Sequence, residues 1–176
     1  GLGDVYKRQP DGNPMVGPVR GMTNFWCACG VMAGFSQGGG VGLSLANWMI
    51  NGDPGFDVWA MDISRFGDYA TMAFTNARVR ENYSRRFSIR YPNEELTAAR
   101  PLLTSPIYDR LKDAGGQFGA TYGLEHALWF APEGVSDVFS WRRSTDFDHV
   151  GEEAKAVREG VGLLETSNFA KYMITG

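Results

Sequence analysis

Apolar residues along the chain change period several times, so short strands and helices are expected in turn. "PDGNPMVGP" reads as turn-rich, and "NFWCAC" (24–29) as a short strand. Six glycines then fall between Gly30 and Gly42, and this loop runs into an apolar stretch of helical length ending at Ile50. Val41, Leu45, Trp48 and Met49 share one face of that helix. Leu43, Ala46 and Ile50 fill most of the rest, which leaves a narrow polar stripe of Ser44, Asn47 and Asn51. The pattern predicts a helix buried on most sides. Asn51-Gly52, followed by Pro54, stops it.

A second segment opens there, and Asp62 is placed to cap a helix reaching about Asn82, with Phe66, Ala70, Ala73 and Ala77 along one face. "FSIRY" (87–91) alternates as a strand and Pro92 ends it, while "RPLLTSP" reads as an extended linker. A third segment begins at Ser105-Pro106, read as cap and first residue of a helix carrying Ile107, Leu111 and Ala114. Gly115-Gly116 ends that helix, "QFGATYG" reads as a strand, and Trp129, Phe130 and Pro132 fall in a loop. A further helix spans about Phe147 to Glu159 with Val150, Ala154 and Val157 in register. Gly160 closes it, and "VGLLETSNFAKYMITG" reads as two strands. Strands and helices in this order predict an α+β, mixed αβ fold.

At 176 residues the chain can hold one domain or parts of two or three, and 43% hydrophobic with 13% aromatic residues supplies a core. A net charge of −3 argues against nucleic acid or an anionic membrane as the main partner. No apolar run reaches the roughly 18 residues of a membrane span. Cys27 and Cys29 form a C-x-C, on one face of a strand and too close in sequence for an ordinary disulfide, that reads as two small apolar residues on a buried strand. "GLGDVYKRQ" (1–9) shares no pattern with the rest of the chain and resembles translated sequencing-adapter read-through, so these nine residues are left out of the fold. The chain is expected to be a fragment cut at both ends.

The glycine loop is the strongest local signal for chemistry. Glycines let a backbone approach a ligand closely, and the helix start behind them offers unpaired N–H groups and partial positive charge. That combination fits a ligand with electron-rich oxygens; the other reading is tight packing of strand, loop and helix. No Gly-Lys-Ser/Thr follows, so the loop is not a P-loop, and it does not fit G-x-G-x-x-G. His126 and His149 stand apart from any Ser or Cys that would make a triad. Asp146, Asp148, Glu152 and Glu153 suit the start of a helix better than a metal, and Arg78 to Arg90 reads as a solvated or interdomain face. No catalytic residue and no metal ligand is assigned.

"GNPMVGPVRGMTNFWCACGVMAGFSQGGGVGLSLANWMINGDPGFDVWAMDISRFG", "RPLLTSPIYDRLKDAGGQFGATYGLEHALWFAP" and "AVREGVGLLETSNFAKYMITG" resemble, in order, the dimethylglycine and sarcosine dehydrogenase family. The resemblance implies three pieces: the end of an FAD-binding domain (10–52), a small central domain (53–100) and the start of an aminomethyltransferase-like, tetrahydrofolate-binding domain (101–176). It maps contacts to FAD onto Gly30, Val31, Met32, Ala33, Gly34 and Phe35. It implies oxidative demethylation of a small N-methyl amino acid, coupled to tetrahydrofolate, with an unspecified electron acceptor. The location it implies is the cytoplasm, or the mitochondrial matrix in a eukaryote. The alternative is a remnant that keeps the fold as a folate-domain or scaffold protein without flavin.

Overall fold

A computed structural model describes residues 9–176, so eight of the first nine residues lie outside the described residues. The chain forms two compact units that meet in sequence at Phe87 and Ser88. Helices and short antiparallel strands mix in both, as an α+β reading requires.

The first unit is built on a two-stranded hairpin. Strand β1 (Met15–Pro18) pairs antiparallel with β2 (Trp26–Cys29), with Met15 opposite Cys29 and Gly17 opposite Cys27. Val16 is fully buried, and its N–H donates to the Met61 carbonyl at 2.7 Å, which draws the chain around residue 62 against the hairpin. Helix α1 (Gly34–Asn51) packs on β1 through Trp48. A Cβ at Gly17 would lie 2.8 Å from the Trp48 ring, and Gly17 has φ +119°, so no other residue fits there without strain. Trp26 meets Trp48 edge to face at 6.3 Å.

Helix α1 differs from expectation at both its start and its surface. Five of the six glycines (Gly34, Gly38, Gly39, Gly40 and Gly42) lie inside the helix rather than in a loop. Ser36 and Gln37 both donate backbone N–H groups to the Ala33 carbonyl, which closes a first turn that the glycines accept. Val41 and Ser44 are buried, whereas Leu43, Met49 and Ile50 are exposed, Ile50 by 80%. Only the hairpin side is covered among the described residues, so the helix is one-sided. Ser44, expected on the polar stripe, is instead fully buried with its hydroxyl unpartnered. The helix ends at Gly52, whose left-handed φ of 75° lets its N–H reach the Trp48 carbonyl.

Asp62 does cap, but it caps a single 3-10 turn (Ile63–Arg65), its carboxylate accepting from the Ser64 N–H at 2.7 Å. Phe66 is extended and Gly67 follows, so helix α2 (Met72–Ser84) starts only where the Thr71 hydroxyl can accept from the Phe74 N–H. Arg65 is buried and forks onto Asp11, with Nε to Oδ2 at 2.7 Å, and also donates to the Asp62 and Asn13 carbonyls. The expected strand at 87–91 does not form; Phe87 and Ile89 are exposed, because no ladder partner lies beside them among the described residues.

The second unit centres on β3 (Gly116–Thr121) and β4 (Leu124–Phe130), an antiparallel hairpin turned by Tyr122 and Gly123, both at positive φ. Trp129 and Phe130 thus lie on a strand, not in a loop. Glu125 and His126 hid it by breaking the apolar run: Glu125 is only 3% exposed. Arg100 makes that burial possible, with Nε to Glu125 Oε1 at 2.8 Å, one terminal nitrogen to Oε2 at 2.6 Å and a further bond to the Phe118 carbonyl. The bonds to Glu125 raise the Arg100 pKa above its ordinary value, against the opposing effect of burial. The extended 101–107 stretch is bonded too: the Leu103 N–H donates to Gly123 and the Leu103 carbonyl accepts from Glu125, a parallel bridge beside β4.

Helix α3 (Tyr108–Asp113) starts three residues after Ser105 and sets Tyr108 against Phe118, ring centres 4.6 Å apart. Helix α4 (Asp146–Glu159) follows expectation in extent, yet it buries none of its residues. It docks by polar and aromatic contacts: Glu153 accepts from the Phe130 N–H, and His149 stacks on Trp129 at 5.6 Å. Residues 161–176 form no strand, and Leu163 and Ile174 are exposed. The apolar pattern there finds no partner among the described residues. Among these residues no helix is long and apolar enough to cross a membrane.

The buried fork gives a direct expectation. Glu125→Ala strands the Arg100 guanidinium and should destabilise the protein by about 3 kcal/mol in urea unfolding, the range for breaking a buried pair. Glu95 sits 3.9 Å from the same guanidinium and is partly exposed. Glu95→Ala should cost under about 1 kcal/mol. Equal losses would show that the Arg100–Glu125 geometry does not hold the hairpin.

Candidate functional site

Gly30, Val31, Met32, Ala33, Gly34 and Phe35 form one continuous corner, where β2 ends and α1 begins. Gly30 turns the chain out of the strand at φ +70°. A Cβ there would collide with the Gln9 carboxamide, which is buried and whose Oε1 has no hydrogen-bond partner. Val31 is half-buried, whereas Met32, Ala33, Gly34 and Phe35 are exposed. These six positions therefore present a turn, a helix start and one projecting aromatic ring.

The helix start lacks the usual caps. Ala33 holds the cap position and offers no side-chain oxygen, and the first turn contains no acidic residue. The Ser36 hydroxyl donates to the Ala33 carbonyl, so it does not serve the N–H groups ahead of it. The N–H groups of Gly34 and Phe35 precede the first helical hydrogen bond and carry the helix's partial positive charge, about half an elementary charge. A Cβ at Gly34 would meet nothing within 4 Å among the described residues. A flat, oxygen-bearing ligand can come close to this backbone from the open side.

The remaining candidates lie on other elements. His126 lies on β4 and His149 on α4, both in the second unit. The arginine group is not one solvated face. Arg78 is buried against Phe74 and sits 3.9 Å from Glu81, while Arg86 lies over the Tyr83 and Phe87 rings. Asp146 and Asp148 occupy the first turn of α4, where the dipole favours them, and Glu153 is engaged with Phe130. Sequence reasoning missed the two thiols as a polar feature. Cys29 is exposed and Cys27 half-buried, with their sulfurs 3.3 Å apart, because the hairpin covers only part of that strand face.

Residues 51–105 match the family model of the FAD dependent oxidoreductase central domain, and residues 107–176 match that of the GCVT N-terminal domain. The chain is 38% identical over 170 residues to the mitochondrial dimethylglycine dehydrogenase of Mus musculus, covering 95% of this chain and 19% of that protein. It is 37% identical over 175 residues to the 4-methylaminobutanoate oxidase (formaldehyde-forming) of Paenarthrobacter nicotinovorans, covering 95% and 21%. It is 35% identical over 150 residues to the mitochondrial pyruvate dehydrogenase phosphatase regulatory subunit of Mus musculus, covering 81% and 17%. The chain spans about a fifth of the length of these relatives.

Helix α1 carries more glycine than its own stability favours. A Cβ at Gly39 meets nothing within 4 Å, so Gly39→Ala should stabilise the 176-residue chain by about 0.5–1 kcal/mol in urea unfolding. Gly17→Ala, driven against Trp48, should destabilise it by more than that. A loss of stability in Gly39→Ala would mean that this stretch is not helical as described.

Proposed function

We propose that the chain belongs to the dimethylglycine and sarcosine dehydrogenase family and is part of an FAD-dependent enzyme that oxidatively demethylates a small N-methyl amino acid. The observation that carries this reading is the uncapped start of α1 beside the open backbone of Gly34. Two relatives are named as a dimethylglycine dehydrogenase and a methylaminobutanoate oxidase, which supports the substrate class. We divide the chain as 10–52, the end of the flavin domain; 53–100, the central domain; and 101–176, the start of a folate domain. Tetrahydrofolate as acceptor of the one-carbon unit rests on the GCVT-type match. A mitochondrial matrix location follows the mitochondrial relatives if the source is eukaryotic.

The uncapped, acid-free helix start and the open space at Gly34 among the described residues support a flavin here. The bound flavin supplies a hydride acceptor for the N-methyl carbon. Residues Gly30 to Phe35 would hold a flavin ring through their backbone, and the helix start would stabilise negative charge on it. No His, Tyr, Lys or carboxylate lies between Gly30 and Gly42, so this segment contributes electrostatics and no proton transfer. The neutral amine lone pair drives hydride loss without a base in this segment.

A second reading, a flavin-free regulatory or scaffold protein, is favoured by the relative named as a phosphatase regulatory subunit. One experiment separates the two. The full-length protein should purify with flavin absorbance, and Gly34→Leu should remove it while leaving the fold intact, because the added side chain meets open space in the protein itself. Full flavin occupancy in Gly34→Leu overturns the placement. A wild-type protein that takes up no flavin on reconstitution establishes the second reading.

A further inference from the structure

The two cysteines of β2 stand on the same strand face, two residues apart, where they hydrogen-bond to each other with Cys27 as donor and a sulfur separation of 3.3 Å. Among the described residues no group of three His, Cys, Asp or Glu side chains surrounds them. Cys29 is exposed to solvent and Cys27 is half-buried. We propose that Cys27 and Cys29 form a reversible thiol switch, closing into an intrastrand disulfide by exchange with a low-molecular-weight disulfide of the glutathione type. The switch is independent of whether the neighbouring corner binds flavin.

The exchange balances without any other reagent. The exposed Cys29 thiolate attacks one sulfur of the small disulfide, forms a mixed disulfide and releases one small thiolate. Cys27 then gives its proton to solvent, its sulfur attacks the Cys29 sulfur, and the second small thiolate leaves. Two protein thiols lose two electrons, and one small disulfide becomes two small thiols. Before the exchange Cys27 is held protonated, its pKa pushed up to about 11 by burial, then by its hydrogen bond to Cys29 and the Cys29 charge. Both contributions from Cys29 vanish once that sulfur is in the mixed disulfide. The first step therefore removes part of what holds Cys27 protonated, and burial remains.

Closure acts on the strand. Alternate residues of an extended strand stand about 6.5 Å apart at Cα, near the far limit of the range a disulfide spans. The sulfurs must also come from 3.3 Å to bonding distance. Closing the bond thus shortens β2 and loosens the rungs that pair Cys27 with Gly17 and Cys29 with Met15. Gly30 follows directly, so oxidation changes how the chain enters α1.

The test is incubation of the full-length protein in graded oxidised and reduced glutathione, acid quenching, and mass spectrometry of the peptide that holds both cysteines. The wild type should lose two hydrogens from that peptide and retain no glutathione, with full recovery in dithiothreitol. Cys27→Ser should retain glutathione on Cys29, whereas Cys29→Ser should carry at least about tenfold less adduct, since its remaining thiol is the shielded one. Amide exchange across 26–35 should speed up about tenfold on oxidation of the wild type and not of Cys27→Ser. A stable glutathione adduct on the wild type, or a peptide that never loses its two hydrogens, overturns the proposal. Unchanged amide exchange in a fully closed protein overturns its coupling to α1.

Discussion

Trp48 lies where a side chain on Gly17 would have to stand, and this contact, backed by Trp26, decides where α1 can lie on its hairpin. The other end of the helix is fixed by the same contact, because α1 is a rigid rod of 18 residues that starts at Gly34, shortly after β2 ends at Cys29. Its first turn is thereby set at the corner formed by Gly30 to Phe35. The functional reading depends on that arrangement. A helix start with no cap, no acid and no Cβ in the way attracts an anionic oxygen only if the scaffold holds it still.

Charged groups do similar work in both units. Arg65 reaches back to Asp11 and ties the turn before β1 to the 3-10 turn. In the second unit Arg100 forks onto Glu125 and fastens the stretch before Leu103 to β4. Each guanidinium is buried or nearly so, and each also donates to a backbone carbonyl, so its remaining donors are not left dry. These pairs tie segments 25 and 54 residues apart in sequence.

Elements whose own residues carry their signals were legible in the sequence. The β2 strand, the end of α1 at Gly52, β3 and the extent of α4 are of this kind. The errors arise where long-range contacts decide. Glu125 and His126 disguise β4, because nothing in their neighbourhood announces that Arg100 will neutralise the carboxylate. The alternation at 87–91 and in 161–176 predicts strands that no neighbour pairs among the described residues. Glycine misleads in the opposite direction: five of the six glycines are helical, since Ala33 closes the first turn and packing near Trp48 anchors the last. The six residues of the candidate site are adjacent in sequence, so their gathering was legible; their missing cap and open side were visible only in the fold.

Whether the first turn of α1 is a flavin-binding surface is tested most directly by a structure of the full-length protein reconstituted with oxidised FAD. The expected result is the Gly34 or Phe35 N–H within about 2.7–3.2 Å of a carbonyl oxygen of the isoalloxazine ring. A flavin ring bound elsewhere, with these N–H groups facing only water, would contradict it.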